Sequence, residues 1–204
     1  MSETTPAGTE SRPAYAVGIV LAVLAAFGLL AAFELTLEKF HALEFPGTGA
    51  SCDFSLIVQC SVNLASSQGA VLGFPNPVIG LVCWPVVITI GVAILARARF
   101  AAWFWIGLNI GIVGALAFVI WLMYQSIHIL ATLCPWCMLT WAVVIPLFWV
   151  VTIDNLRTGR IPTTERFRRF AASAFGWIPL ITLVCYLIVA VIAQLRLDVL
   201  GYLF

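Results

Sequence analysis

FAAWFWIGLNIGIVGALAFVIWLMYQSIHILATLCPWCMLTWAVVIPLFWVVTI, Phe100 to Ile153, carries no Asp, Glu, Lys or Arg over about fifty-four positions. A helix rises about 1.5 Å per residue and a bilayer's hydrocarbon core is about 30 Å thick, so roughly 20 apolar residues make one crossing. The stretch is too long for one crossing and long enough for two joined by a tight turn, expected near Gln125 to Thr132. Spans three and four are then about Ala101 to Tyr124 and Leu133 to Ile153, which places Cys134-Pro135-Trp136-Cys137 in the first turn of span four. Pro135 suits the first position of a helix, where an N–H has no intrahelical partner. A composition of 63% hydrophobic and 9% charged residues leaves too little polar surface for a water-soluble domain of 204 residues. The chain reads as an all-α integral membrane protein.

Outward from that stretch, residues 1–14 form a polar tail with Glu3, Glu10 and Arg12. The run Tyr15 to Phe33 is too long for a signal-peptide core and lacks a clear small-residue cleavage site, so it is expected to be a retained first span. Glu34, Glu38 and Lys39 mark its exit, most simply as an i,i+4 pair with a neighbouring cation. Residues 36–74 then turn polar and form a loop that cannot span, holding Cys52 and Cys60. Leu56, Ile57, Cys60 and Leu64 recur there at helical spacing, which predicts a short surface helix carrying Cys60. Span two starts near Gly73-Phe74-Pro75-Asn76-Pro77 and runs to Ala96, with a kink expected at Pro85. Residues 154–174 form a basic loop with Arg157, Arg160, Arg166, Arg168 and Arg169, and residues 175–204 hold a fifth span, Phe175 to Leu195, and a short tail.

Lys and Arg in short loops stay on the cytoplasmic side. Arg12, Arg97, Arg99 and the five arginines of the basic loop are eight of the ten basic residues, and alternation of spans puts all eight on one face. The N-terminus is therefore expected inside and both the 36–74 loop and the CxxC outside. A net charge of +1 offers nothing for nucleic acid to bind.

Of the six cysteines, Cys83 and Cys185 lie inside apolar spans and read as small buried hydrophobes. Cys52 and Cys60 alone could be one structural disulfide bracing a loop. Beside an exposed CxxC they also permit thiol–disulfide exchange along four sulfurs, each thiolate attacking the next disulfide and passing two electrons. A zinc site is the competing use of four thiolates, disfavoured by the seven residues between Cys52 and Cys60 and by an oxidising compartment. The chain has no GxGxxG after a strand and no Walker lysine, and Gly107, Gly111 and Gly114 lie inside a span, where they are expected to serve close helix packing. The acceptor left in the lipid is a quinone. Phe74, Asn76, Tyr124, Trp136 and Trp141 lie near the CxxC mouth and could stack on or hydrogen-bond its ring, although aromatic residues also form the ordinary interfacial belt. His41 and His128 read as interfacial side chains without a catalytic part.

The set Cys52, Cys60, Ser66, Asn76, Cys134-Pro135-Trp136-Cys137 and Thr140-Trp141-Ala142 resembles the vitamin K epoxide reductase family, over about residues 15–153. The run Leu72-Gly73-Phe74-Pro75-Asn76-Pro77 looks like its actinobacterial branch. The resemblance implies a four-helix transmembrane bundle around a quinone of menaquinone or ubiquinone type, here followed by a fifth transmembrane helix. It implies that Cys52 meets a thioredoxin-fold (DsbA-like) protein, that Cys60 exchanges with Cys134, and that Cys137 lies nearest the quinone. Ser66 and Asn76 match a loop Ser/Thr and a quinone-binding Asn. Trp141 stands where vertebrate members have a Tyr that hydrogen-bonds the quinone carbonyl; an indole N–H could replace it. Many bacterial members carry a fused thioredoxin-like domain; this sequence ends at Phe204 without one, so the partner is expected as a separate protein.

The function expected is a thiol–disulfide oxidoreductase of the bacterial cell membrane that reoxidises that partner and passes the electrons to quinone. Reduction of vitamin K epoxide or quinone with protein thiols as reductant, a transmembrane thiol carrier, and a metal-binding membrane protein are the alternatives.

Overall fold

The computed structural model describes residues 11–203. Among the described residues, five helices are long and apolar enough to cross a bilayer, with spans Tyr15–Glu44, Pro77–Leu95, Ala102–Leu130, Pro135–Arg157 and Glu165–Leu197. The chain is a multi-pass all-α membrane protein. In chain order its helices are α1 (Ser11–Glu44), α2 (Ser61–Ala65), α3 (Pro77–Leu95), α4 (Ala102–Tyr124), α5 (Pro135–Arg157), α6 (Glu165–Ala174), α7 (Ile178–Leu197) and α8 (Val199–Leu203). α5 packs against α1, α4, α6 and α7, and α1 packs along α3.

α1 runs eleven residues beyond the expected end at Phe33. Glu34, Leu35, Leu37, Glu38, Lys39, Ala42 and Leu43 are polar or apolar but nearly all good helix formers, so charge ends the membrane span without ending the helix. The chain leaves helix at Phe45-Pro46, where proline disfavours helix in the residue before it. The acidic and basic residues of this extension do not pair with one another. Glu38 accepts from Ser51 N at 3.1 Å and from the Ser51 hydroxyl, and Lys39 Nζ donates to Leu64 O at 2.8 Å. They are clamps on the cysteine loop.

The close approach of α1 and α3 rests on Gly18, Gly28, Gly80 and Gly91. A Cβ on Gly91 would stand 2.7 Å from Ala22 N, one on Gly28 2.4 Å from the Trp84 indole, and one on Gly80 2.7 Å from Ala32 Cβ. The packing role expected for Gly107, Gly111 and Gly114 is not seen, because a Cβ at any of the three would meet nothing within 4 Å. All three are exposed on α4.

α4 continues as a π turn over Gln125–Leu130, and Ala131 takes a left-handed φ of 51°. Thr132 N then donates to Ser126 O at 3.1 Å, closing the turn that leads to the CxxC. The basic loop is also more ordered than expected. It contains α6, whose Glu165 pairs with Arg168 at 2.7 Å and Arg169 at 3.1 Å.

At this arginine-bearing end, Asp154 is buried under Arg157, 2.5 Å away, and Arg160. Asn155, fully buried, donates to Trp105 O at 3.0 Å and to Asn109 Oδ1 at 3.1 Å, and accepts from Arg160 at 3.2 Å. The Arg160 guanidinium lies 4.0 Å over the Trp105 ring and that of Arg157 4.0 Å over Phe175. This clasp ties α4, α5 and the start of the fifth span together. Sequence reading passed over it, although Asp154 is the first charge after the long apolar stretch and so the one most in need of a partner.

Candidate active site

Cys52 and Cys60 are joined as a disulfide with their Cα atoms 5.7 Å apart, while Cys134 and Cys137 are free thiols. The sulfurs of Cys134 and Cys60 are 3.2 Å apart. Cys52, Cys60 and Cys134 are all buried, in a small apolar cluster with Leu35 and Leu64 against which Trp136 and Cys137 pack.

Three tethers hold the loop to the residues just ahead of α5. Leu133 N donates to Ile57 O at 2.7 Å, and Gln59 N donates to Leu133 O at 3.0 Å, so Val58 and Leu133 form a short parallel bridge. Asn63 Nδ2 donates to Thr132 Oγ1 at 2.9 Å. Because the bridge ends two residues before Cys60 and one before Cys134, both cysteines leave it side by side. The helix expected to carry Cys60 is shorter than its pattern suggested: residues 56–59 serve the bridge, Leu56 is exposed, and Cys60 is the residue before α2. Backbone pairing to Leu133 outweighs the helical spacing of the side chains, which was too short a run to fix a helix by itself.

Asp53 organises the loop. Its Oδ1 accepts from Cys60 N at 2.7 Å and Ser61 N at 3.1 Å, and its Oδ2 from Ser61 Oγ at 2.5 Å and Ala50 N at 3.1 Å. Burial pushes this carboxyl up, but the Ser61 hydroxyl and the three amides together outweigh it and hold the pKa below its ordinary value. Two of those donors, the amides of Cys60 and Ser61, stand at the residue before α2 and at its first residue, where a carboxylate is favoured by the unpaired N–H groups. Sequence reading missed Asp53; its signal was a charge directly beside Cys52 in a loop otherwise poor in charge.

Cys134 precedes α5, and its sulfur accepts from Cys137 N at 3.4 Å. Its pKa is held below that of an ordinary thiol, chiefly by a hydrogen bond from the Cys137 side chain, against the opposing effect of burial; the Cys137 and Trp136 amides assist and the Asp53 charge opposes. The sulfur next to the loop disulfide is thus the one of the CxxC pair that favours the thiolate form.

Below the sulfurs a cavity of about 420 Å³ opens between α1, α3, α4 and α5. Cys137, Ser66, Asn76 and Trp141 are among its walls, with Asn63, Gln68, Gln125, Ser126 and Thr140 adding polar groups to a mostly apolar lining. Phe74 is not in this wall. Gly73 turns the chain with φ of 83°, and Phe74 is left 42% exposed outside the cavity. Tyr124 is also outside it, exposed and stacked on His128 at 4.6 Å. Asn76 and Ser66 both have structural duties. Asn76 Oδ1 accepts from Val71 N at 3.0 Å and its Nδ2 donates to Gln68 O at 2.7 Å, leaving one amide hydrogen for another acceptor. Ser66 Oγ donates to Asn63 O at 2.7 Å and accepts from Gly69 N at 3.1 Å. Cys83, expected as a bystander, is exposed and borders the same cavity.

Residues 19–152, well over half of the chain, match the vitamin K epoxide reductase family. The chain belongs to the vitamin K epoxide reductase family. No curated protein matches it. The family's members are membrane thiol–disulfide oxidoreductases that work with quinones, and the paired cysteines beside an apolar cavity are the parts such chemistry needs. This family member is an oxidoreductase acting on thiols and quinone.

Proposed function

We propose that the protein takes electrons from a separate thioredoxin-fold (DsbA-like) dithiol and delivers them to a membrane quinone of menaquinone or ubiquinone type, so that exported proteins acquire disulfides. The observation that carries this reading is the 3.2 Å approach of the Cys134 sulfur to Cys60 of the loop disulfide, close enough for exchange between the two pairs.

A partner thiolate attacks Cys52, Cys60 leaves as thiolate, and the partner's second thiol releases Cys52, so the partner ends as a disulfide and the loop as a dithiol. Cys60 then attacks Cys134 of the Cys134–Cys137 disulfide and Cys137 leaves as thiolate. Cys52 attacks Cys60 in turn, re-forming the loop disulfide and freeing Cys134. A quinone in the cavity supplies the sink for two electrons and two protons, and Cys134 and Cys137 return to a disulfide. Cys137 is the cysteine of the four that borders the cavity. The lining fits an amphipathic ring: apolar walls, the spare Asn76 amide hydrogen and the Trp141 indole. Ser66 supports this wall through its hydrogen bonds, and Phe74 has no part in it.

In this reading residues 15–153 are the catalytic unit in a bacterial cell membrane, residues 1–14 and the basic segment 154–174 face the cytoplasm, and the 36–74 loop faces outward. Residues 175–204 supply the fifth helix and tail.

The test is quinone reduction by purified protein supplied with a reduced thioredoxin-fold oxidant. Cys137→Ala is expected to reduce turnover by roughly 10³-fold or more while leaving exchange between the partner and Cys52/Cys60 in place. Wild-type turnover by that variant would overturn the order of the sulfurs.

A further inference from the structure

On a different face of the bundle a groove of about 610 Å³ runs between α1, α5 and α7 and shares no lining residue with the cavity beneath the sulfurs. Its walls are apolar, including Val20, Pro146, Val150 and Phe175, with two hydroxyl groups, Tyr186 and Thr182. The Tyr186 hydroxyl already donates to Ala142 O. Thr182 is only 7% exposed, and its hydroxyl has no hydrogen-bond partner among the described residues. A threonine in a helix ordinarily bonds the carbonyl one turn back, and a hydroxyl left unpaired away from water is costly. The groove therefore has the chemistry to hold a long apolar molecule with one acceptor at the level of Thr182.

Depth and charge narrow the class. Thr182 lies four residues into α7, about 6 Å along its axis, in the part of the fifth span nearer the arginines of α6. Phe175, a groove wall, has the Arg157 guanidinium 4.0 Å over its ring. The chain enters this wall from α6, in which Arg166, Arg168 and Arg169 face a single acid, Glu165, and in which Phe167 and Phe170 are exposed. Basic side chains beside exposed aromatic rings at a membrane surface attract anionic headgroups.

We propose that the groove binds one anionic phospholipid, with an acyl chain between α1, α5 and α7, an ester carbonyl accepting from Thr182 Oγ1, and the phosphate facing the arginines of α6. The lipid fills the seam by which the fifth helix joins the bundle. This site is independent of the quinone reading and is read without activity.

The experiment is native mass spectrometry of the full-length protein in detergent, titrated with phosphatidylglycerol or with phosphatidylcholine of the same chains. One phosphatidylglycerol is expected to remain after delipidation, bound about tenfold more tightly than phosphatidylcholine. Thr182→Val, which keeps the shape and removes the hydroxyl, is expected to weaken both lipids several-fold and to melt no lower than wild type in lipid-free detergent. The Arg166→Gln/Arg168→Gln/Arg169→Gln variant is expected to lose the preference for phosphatidylglycerol and keep the weaker binding. Equal binding of the two lipids by wild type, or unchanged binding by Thr182→Val, would overturn the proposal. Displacement of phosphatidylglycerol by a long-chain quinone would also overturn it and assign the groove to a second quinone.

Discussion

Asp53 and Asp154 sit near opposite ends of α5, and each carboxylate is held under several donors, but the donors differ in kind. Asp53 is held by three backbone amides and one serine hydroxyl, within a loop that carries reacting sulfurs. Asp154 is held by two guanidinium groups that also stack on aromatic rings. Neutral donors place a short segment without adding a second charge beside the Cys134 sulfur. The charged donors bind α4, α5 and the start of the fifth span to one another at the end away from the sulfurs. One end of the molecule is built to position chemistry, the other to stay closed.

Several substitutions test that contrast. Asp154→Ala leaves Arg157 and Arg160 without their acid, and a loss of about 2–4 kcal/mol is expected, moderated because the two arginine side chains are 18% and 25% exposed. Thermal melting should fall while the exchange chemistry of the surviving folded protein is little changed. If Asp154→Ala instead slowed exchange at constant stability, the division between the two ends would be wrong. Gly69→Ala comes next: its Cβ would stand 2.4 Å from Asn63 O, and opening that turn is expected to cost about 1–3 kcal/mol and to disturb the Ser66 hydrogen bonds beside the cavity.

Asp53→Asn is expected to cost about 1–2 kcal/mol, less than Asp154→Ala, yet to slow exchange between Cys60 and Cys134 markedly. Stopped-flow thiol exchange and thermal melting, measured on the same sample, separate the two effects. The charge on Asp53 opposes thiolate formation at Cys134, so the same variant should titrate Cys134 still lower, read by ultraviolet thiolate absorbance.

The pH response has a definite sign. Asp53 has a folded pKa below its ordinary 3.8, so its contribution is fully present above 3.8 and is lost as pH falls through the lower folded value. Hydrogen exchange at the Cys60 and Ser61 amides should lose protection in that acid window in wild type and not in Asp53→Asn. Smallest of all, Gly107→Ala meets nothing within 4 Å and replaces glycine inside a helix, so it should be neutral or stabilising by up to about 1 kcal/mol. Gly91→Ala, one helix away, should be clearly destabilising by comparison.

The expected and observed elements agree wherever local hydrophobicity decides. The five apolar runs are helices, and the CxxC opens α5 with Pro135 at its first position. They part where neighbours decide. Charges at Glu34 to Lys39 marked the edge of a span but not of α1, because those residues remain good helix formers and their partners lie in the loop. The glycines of α4 resembled a packing stripe, whereas the glycines in contact are on α1 and α3. A spacing does not say which face meets another helix.

By itself the sequence determined that this is a helical membrane protein, that two cysteine pairs belong to one face, and that residues about 15 to 153 resemble a quinone-linked redox family. Those conclusions rest on segment length, charge and motif, which each short stretch carries alone. Only the tertiary structure decided that Cys134 touches Cys60 across 74 positions of chain, that Asp53 holds the loop, that Phe74 stays outside the cavity, and that Thr182 lacks a partner among the described residues. Each of those depends on which side chains are brought within a few ångströms by helix packing and by the Val58–Leu133 bridge, information that no single segment contains.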